Sequence, residues 1–357
     1  MKALVMHRLK GRDNPYMSLL INALSAAGVE VAAPVGGRSR LWKSVFGQRR
    51  PDVVHLQWQH NYFTGATPWV ALRRSTRFLI QVLGLRLARV PIVWTVHNIV
   101  NHEGRQARWE LLMCRILARS VSKLIVHCEE AVELVAAAYR VTPRRIRVVP
   151  HGNYIGVYPE PSGKELARRE LGIDTTGKVL LFFGQVRPYK GLEELLGAFA
   201  RLEDPDIRLV LVGEPKFGMA DLLREETQRD ARVIARLEFV PDDELINYIA
   251  ASDLVVLPYR KSLTSGAAIL AFSCARPVVA PRLGCMQAFP SEAAVLFHPD
   301  SSDGLEGALR LALSKPLEQM GGAASDYVGQ FSWPYVANRT IEVYREVAHG
   351  AGLSSQS

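Results

Sequence analysis

Two cations follow the strongest apolar run of the sequence at a spacing that suits a diphosphate. Gly184 comes directly after the run Val179–Phe183, and Arg187 and Lys190 follow before Gly191. Arginine binds phosphate oxygens as a bidentate fork, whereas lysine acts as a point charge. Gly184 permits a sharp exit from a strand, and Gly191 opens the next helical pattern. These residues predict a phosphate-binding loop; the alternative is two exposed cations on a solvated turn.

A second loop with phosphate-binding chemistry follows another strand-like run, Leu254–Leu257. It leads into an apolar helix at Gly266 and Ala267, which Thr264 or Ser265 can cap. The amides at the start of a helix attract anions, and a glycine there lets a ligand approach them closely. An ordinary capped helix would show the same residues. Two such loops after two strands of one sheet nevertheless favour a common anion site.

His97 lies at the end of a strand-like run in the first half, and Asn98 follows it. Imidazole titrates near neutral pH, so His97 can either position a substrate or transfer a proton. The alternative is a hydrogen-bonded structural histidine. His97 and His102 lack companion carboxylates at the spacing of metal ligands, and we therefore expect no metal site.

Short β-branched runs alternate with helical patterns along the chain and define the frame around these residues. The runs are Ala3–Met6, Val29–Val31, Asp52–Leu56, Ile92–Val96 and Leu124–His127 in the first half, and Val179–Phe183, Leu209–Val212, Leu254–Leu257 and Pro277–Ala280 in the second. Such alternation predicts parallel βαβ units. We predict an α/β protein with two doubly wound, Rossmann-like domains facing a cleft, with ligands at the carboxyl ends of the strands. The domains are placed at 1–157 and 158–331, and a C-terminal helix at 332–349 is expected to pack back toward the first domain.

Length, composition and charge restrict the class of protein further. The 357 residues are 48% hydrophobic and 22% charged, which excludes a disordered chain and fits about two globular domains. The net charge of +9 is uneven, because residues 1–175 hold 26 basic and 12 acidic residues, whereas residues 176–357 hold 18 and 23. No apolar run approaches the roughly 20 residues that span a bilayer, and the N-terminal apolar stretch is too short for a signal peptide. The four cysteines show no CxxC spacing, so we expect reduced thiols and a cytoplasmic protein.

Taken together, the motifs resemble the GT-B glycosyltransferases of the family four type across nearly the whole chain. The matching stretches are Asp52–Trp58, Trp94–Asn98, Val149–Asn153, Gly184–Gly191, Leu211–Gly213, Ser252–Tyr259 and Pro277–Ala280. The resemblance implies that the second domain binds a UDP- or GDP-linked sugar as co-substrate, with no other cofactor and no metal. It also implies that the first domain binds the acceptor.

The resemblance assigns roles to individual residues. Arg187 and Lys190 contact the donor diphosphate, and Gly184 and the Ser265–Ala267 helix start lie beside it. His151, in the loop that joins the domains, is expected to touch the donor. Further residues are assigned to the acceptor side: Asn14, Tyr16 and Asn98, with His97 as a catalytic residue.

One departure from the family pattern concerns a pair of glutamates that usually contacts the donor sugar and ribose. Counting back from Pro277 places Ser262 and Leu270 at those positions, so neither carboxylate is present. The run Thr264–Ala267 is instead similar to bacterial polysaccharide enzymes of the β-mannosyltransferase type. This departure leaves ribose recognition and the retaining or inverting outcome open.

A basic, apolar helical segment at residues 72–89 points to a membrane surface. Its arginines flank an apolar stripe, an arrangement that suits the anionic face of a bilayer. The alternative is a crossover helix with a solvated charged edge. With the basic first half, we expect peripheral membrane contact at the inner face of the cell membrane.

These observations predict a hexosyltransferase, with mannose and glucose as the candidate sugars, that acts on a lipid-linked or polysaccharide acceptor in polysaccharide biosynthesis. A non-catalytic subunit that binds a sugar nucleotide or glycan is the main alternative, and a sugar-nucleotide epimerase is another. Nucleic acid is not expected as a partner, because no aromatic-interleaved basic motif is present.

Overall fold

A computed structural model describes residues 1–6, 15–32, 45, 50–101, 106–161, 163–173 and 176–353. The chain folds into two compact units. The first unit comprises residues 1–152 together with the C-terminal stretch from Phe331, and the second unit comprises residues 153–330.

The first unit is built on a parallel sheet of short, buried strands. The strands are β1 (Lys2–Met6), β2 (Glu30–Ala32), β3 (Val53–Leu56), β4 (Ile92–Thr95), β5 (Lys123–Val126) and β6 (Ile146–Val148). Their order in the sheet is β2-β1-β3-β4-β5-β6. In register, Leu56 lies beside Trp94 and Trp94 beside Leu124, so β3, β4 and β5 end at nearly the same level. The loops after these strands therefore meet at one edge of the sheet.

The described residues before position 152 form five helices of the first unit. They are α1 (Tyr16–Ala26), α2 (His60–Phe63), α3 (Pro68–Leu87), α4 (Ala107–Ser120) and α5 (Glu130–Tyr139). Helix α3 begins where Thr67 caps it, because the Thr67 side chain accepts a hydrogen bond from the amide of Val70 at 3.3 Å. Pro68 occupies the first helical position, where its missing amide proton costs nothing.

The second unit repeats the same architecture. Its strands are β7 (Val179–Phe183), β8 (Arg208–Val212), β9 (Val233–Arg236), β10 (Leu254–Val256), β11 (Val278–Pro281) and β12 (Ala294–Phe297), in the order β12-β11-β10-β7-β8-β9. Its helices are α6 (Lys164–Glu170), α7 (Leu192–Ala200), α8 (Met219–Arg229), α9 (Asp242–Ala251), α10 (Gly266–Ser273), α11 (Gly304–Leu313) and α12 (Leu317–Gly329). The buried carboxylate of Asp253 holds the start of the sheet together, since it accepts hydrogen bonds from the guanidinium of Arg168 at 2.6 Å and the amide of Val179 at 2.7 Å.

The chain then returns to the first unit with α13 (Trp333–Leu353). This helix buries Val336 and Tyr344 in the same apolar core as Leu20 and Leu24 of α1. At the surface, Glu346 forms ion pairs with Lys123 at 2.8 Å and with Arg147 at 2.5 Å. Helix α13 therefore completes the first unit.

Both sheets are doubly wound, which confirms the predicted fold class. In each sheet the chain moves outward from a central strand in one direction and then continues on the other side of that strand. The reversal lies between β1 and β3 in the first unit and between β7 and β10 in the second. Ligands of such sheets bind outside the carboxyl ends of the strands at this switch point.

The structure also bears on the membrane and thiol expectations. None of the helices in the described part of the chain is long and apolar enough to cross a bilayer. Cys114 and Cys274 are free thiols, as expected for these two cysteines.

Candidate active site

The loop after β7 carries the two cations of the predicted phosphate site. The chain leaves β7 at Gly184 with a φ of +101°, and residues 188–190 form one 3₁₀ turn before α7. Gly191 has a φ of +68°, and a Cβ atom on it would lie 1.9 Å from the carbonyl oxygen of Pro258. Only glycine fits there, because the loop packs directly on the segment that follows β10. The two loops at the switch point of the second unit are therefore in contact.

Lys190 is held between aromatic rings and beside a like charge. Its ammonium lies 5.5 Å from the ring centre of Phe182 and 5.2 Å from that of Tyr259. Burial, and secondly the nearby Arg187 guanidinium, lower the pKa of Lys190 to about 8. Within the described ranges no carboxylate forms an ion pair with Lys190. A site that brings two cations together in this way favours an anionic ligand, which would relieve their repulsion.

Arg187 is oriented by its own loop. Its Nε and Nη2 atoms donate hydrogen bonds to Oε1 of Gln185 at 3.1 and 2.7 Å, and its guanidinium lies 6.0 Å from the ring centre of Phe217. These contacts hold the guanidinium in a defined direction beside Lys190.

Ser265 connects the second loop to this site. Its buried hydroxyl caps α10 by accepting a hydrogen bond from the amide of Ala268 at 3.2 Å. Burial raises the pKa of Tyr259, with a smaller opposing effect from the nearby Ser265 side chain. Tyr259 therefore lies close to both the capped helix start and Lys190, and no role was predicted for it from the sequence. Gly266 and Ala267 form the first turn of α10, as expected.

Neither position of the usual glutamate pair carries a charge. Leu270 is buried within α10, and the hydroxyl of Ser262 donates a hydrogen bond to the carbonyl oxygen of Thr264 at 3.2 Å. The Leu270 side chain therefore belongs to the apolar core of the second unit, and the Ser262 hydroxyl is bonded within its own loop.

Histidines at four strand ends form the core of a polar network in the first unit. His55 lies in β3, His97 and His127 follow β4 and β5, and His151 follows β6. All four are buried. Burial lowers the pKa of His55 and His151 to about 3 and that of His127 to about 4, so these rings are neutral at pH 7.

Hydrogen bonds connect these histidines into a chain. His97 contacts Oε1 of Gln57 through Nε2 at 2.6 Å and Nε2 of His127 through Nδ1 at 3.3 Å. Nδ1 of His127 donates to the carbonyl oxygen of Val149 at 2.9 Å. His55 continues the network, because it contacts the side chains of Thr95, Gln57 and Tyr344. Both ring nitrogens of His97 therefore have internal partners.

Aromatic rings enclose His97. The indole of Trp58 stacks on its imidazole with ring centres 4.2 Å apart and planes 7° apart. Tyr16, at the start of α1, presents its ring at 5.2 Å from His97 and 4.9 Å from His151. Three predicted site residues, His97, His151 and Tyr16, are thus neighbours in the first unit. Burial, and after it the surrounding histidines, hold the pKa of His97 well below its ordinary value.

Of the remaining acceptor-side predictions, Asn98 lies within the described residues and Asn14 lies outside them. Asn98 follows His97, and its carbonyl oxygen accepts a hydrogen bond from the hydroxyl of Tyr139 at 3.3 Å. Asn14 and His102 lie outside the described residues. Gln57, Trp58, His55 and His127 were not predicted, although each lies in or directly after a predicted strand. A search of the described residues finds no group of three histidine, cysteine, aspartate or glutamate side chains placed to hold a metal ion.

Comparison with known proteins defines the class. The family profile "Glycosyltransferase Family 4" matches residues 16–153, and the profile "Glycosyl transferases group 1" matches residues 177–315. The chain belongs to the family 4 glycosyltransferases, as the sequence motifs predicted, and it has the GT-B fold. It is a glycosyltransferase, and family membership favours catalysis over the non-catalytic alternative.

Two individual glycosyltransferases are similar to this chain over most of its length. The chain is 30% identical over 344 residues to the GDP-mannose:glycolipid 4-beta-D-mannosyltransferase of Xanthomonas campestris, covering 93% of this chain and 88% of that protein. It is 27% identical to the D-inositol 3-phosphate glycosyltransferase of Segniliparus rotundus, covering 88% and 73%.

Two solved structures share the fold. Sucrose-phosphate synthase from Thermosynechococcus elongatus superposes with a TM-score of 0.74 at 18% identity, covering 98% of this chain and 99% of that one. Anabaena HepE in complex with UDP-glucose superposes with a TM-score of 0.73 at 20% identity, covering 97% and 100%.

Proposed function

We propose that the protein transfers a hexosyl group, with mannose from GDP-mannose as the first donor to test, to a lipid-linked saccharide. The single observation that carries this proposal is the pairing of Arg187 and Lys190 at the switch point of the second unit. Two cations there suit a nucleoside diphosphate. The Xanthomonas relative, which uses GDP-mannose and a glycolipid according to its name, supports the choice of donor and acceptor class.

The second unit is proposed to bind the donor. Arg187 would bind diphosphate oxygens in a fork, and Lys190 would add a point charge. The amides at the start of α10, at Gly266 and Ala267, would bind further oxygens, because Ser265 already satisfies the amide of Ala268. Gly184 leaves room beside the ammonium, since a Cβ there would lie 3.1 Å from it.

The reaction requires one bond to form and one to break at the anomeric carbon. An acceptor hydroxyl oxygen bonds to that carbon while the bond from the carbon to the diphosphate oxygen breaks. The hydroxyl proton passes to the leaving diphosphate or to water. The leaving diphosphate gains negative charge, which Arg187 and Lys190 stabilise in place before the reaction. Whether the product is formed with retention or inversion depends on the face of attack.

The first unit is proposed to serve the acceptor, with Tyr16, Asn98 and Asn14 on its binding side and His151 reaching the donor. His97 would act by positioning rather than by taking the proton. The reason is geometric, because Nε2 and Nδ1 of His97 already face Gln57 and His127.

Helix α3 is proposed to contact an anionic membrane surface. It exposes large apolar side chains, with Trp69 78%, Ile80 64% and Leu87 76% accessible. A cavity of about 700 Å³ opens beside its first turns and is lined by Trp69, Leu72 and Trp109 among others. Arginines along the same helix suit phosphate headgroups.

Transfer assays test the proposed activity. Purified protein is incubated with GDP-mannose, UDP-glucose and other nucleotide sugars together with a membrane lipid extract, and glycosylated lipid is detected by mass spectrometry. Arg187→Ala combined with Lys190→Ala should abolish transfer without lowering the melting temperature. Arg224→Ala, an exposed arginine of α8, is the matched control and should keep full activity. Tight donor binding without turnover would instead support a non-catalytic subunit.

Vesicle sedimentation tests the membrane contact. Ile80→Asp combined with Leu87→Asp should reduce binding to phosphatidylglycerol vesicles, whereas Leu311→Asp, which changes an exposed leucine of α11, should not. Equal binding of both variants and the parent protein would contradict the assignment of α3.

A further inference from the structure

Trp58 occupies the switch point of the first unit. It is the second residue after β3, and the reversal of strand order lies between β1 and β3. In doubly wound sheets a ligand is expected outside the strand ends at this point. A large aromatic side chain is therefore placed where a substrate of the first unit would bind.

The backbone of Trp58 is strained. Its φ is +36°, in the left-handed region that bulky residues avoid. Such conformations persist where the surrounding structure enforces them, and they cluster at ligand sites. Glycine or asparagine would fit this backbone with less strain than tryptophan.

A rigid layer holds the indole plane. The indole lies parallel to the His97 ring at 4.2 Å, and that ring is hydrogen-bonded by Gln57 on one side and His127 on the other. Tyr16 contacts the indole with its ring nearly perpendicular and the ring centres 5.7 Å apart. The indole itself is only half-buried. It is therefore a fixed aromatic surface with area left for a ligand.

The described side chains packed around Trp58 suit an uncharged, hydroxyl-rich ligand. The titratable groups that face His97 are Tyr16 and the histidines 55, 60, 127 and 151. His55, His127 and His151 are neutral at pH 7, since burial lowers the pKa of each to 4 or below. Among the residues that the structure describes, this surface lacks the paired cations that distinguish the second unit, and these residues therefore suit the sugar of an acceptor better than a phosphate.

We propose that Trp58 is the platform on which a pyranose ring of the acceptor stacks, with His97, Gln57 and His127 as positioning residues behind it. The C–H bonds on one face of a pyranose carry slight positive charge and are attracted to the negative face of an aromatic ring. This inference rests on the proposed function, because it assumes a saccharide acceptor. It explains why His97 has no free ring nitrogen, since its task is to support the indole.

Binding of simple glycosides tests the platform without requiring turnover. Saturation-transfer NMR is measured with octyl β-D-glucopyranoside and octyl α-D-mannopyranoside below their micellar concentrations. The parent protein should saturate the C–H protons of one pyranose face most strongly. Trp58→Ala should weaken glycoside binding about tenfold, the loss expected for one aromatic contact. Tyr335→Ala, which removes an exposed aromatic ring from α13, should leave binding unchanged.

Further variants separate the platform from a packing role. Trp58→Phe should retain most of the affinity, whereas Trp58→Met, which keeps apolar bulk without a flat ring, should lose as much as Trp58→Ala. Trp58→Asn should relieve the backbone strain, so its melting temperature should equal or exceed that of the parent while glycoside binding is lost. The affinity for GDP-mannose should stay within twofold in all four variants.

Three results would overturn the platform: no glycoside binding by the parent protein, Trp58→Ala within twofold of the parent, or full rescue by Trp58→Met. Failure of the proposed function looks different, because the parent protein would then show neither sugar-nucleotide binding nor transfer.

Discussion

We expect donor affinity to depend on pH through the protonation of Lys190. Burial and the adjacent guanidinium of Arg187 lower the pKa of this ammonium to about 8 in the absence of donor. Only the protonated amine attracts a diphosphate, so binding is strong below this pKa and weakens as the pH rises through it. The protonated fraction falls from roughly nine tenths at pH 7 to roughly one tenth at pH 9, and affinity should therefore fall about tenfold.

Isothermal titration calorimetry with GDP-mannose at pH 7, 8 and 9 measures this effect. A bound diphosphate raises the pKa of Lys190, so donor binding at pH 8 should take up roughly half a proton. That uptake is obtained by repeating the titration in buffers with different heats of ionisation. Lys190→Arg is the matched control, because its guanidinium stays charged over this range while the nucleobase titrates as before.

The test compares the loss of donor affinity between pH 7 and pH 9 in the parent protein with the loss in Lys190→Arg. The parent protein should lose about tenfold more affinity than Lys190→Arg between pH 7 and pH 9. If both proteins show the same pH dependence and no proton uptake at pH 8, Lys190 does not contact the diphosphate, and the reasoning is refuted.

Three other predictions concern stability. Lys190→Met should raise the free energy of unfolding at pH 7 by roughly 1–2 kcal/mol in urea denaturation, because burial disfavours the charged amine, while donor binding is lost; unchanged stability would contradict this. Gly191→Ala places a Cβ 1.9 Å from the carbonyl oxygen of Pro258 at a φ of +68°, and it should cost roughly 1–3 kcal/mol in the same assay. Asp253→Ala leaves the buried guanidinium of Arg168 without its carboxylate and should cost roughly 3–5 kcal/mol, so a melting temperature equal to the parent's would argue against that contact.

The phosphate loop could be predicted because its chemistry is local. Strand β7, the exit at Gly184, the two cations and Gly191 follow one another within a short stretch of sequence, and the observed turn has this order. The sequence could not show that the ring of Tyr259 lies against the ammonium of Lys190. That contact depends on β10 lying beside β7, which is a property of sheet order.

The fold class could be predicted for the same reason, since each βαβ unit leaves its own pattern of short apolar runs. The helix boundaries depend on capping residues, which the apolar pattern does not include. The basic helix expected at 72–89 begins at Pro68, four residues earlier, because Thr67 supplies a cap and Pro68 a suitable first residue.

The network of the first unit could not be derived from spacing. His55, His97, His127 and His151 are separated by 24 to 42 positions along the chain, and they meet only because four adjacent parallel strands end at one edge. His97 stood out through its motif. Trp58 did not, because its significance lies in a backbone angle and a stacking contact that no sequence pattern encodes.

The location of the donor diphosphate is measured most directly by a crystal structure of the protein with GDP-mannose or GDP bound. Diphosphate oxygens should lie about 3 Å from the ammonium of Lys190 and from the guanidinium of Arg187, with the first amides of α10 nearby. A diphosphate bound elsewhere, with both cations turned to solvent, would contradict the central claim.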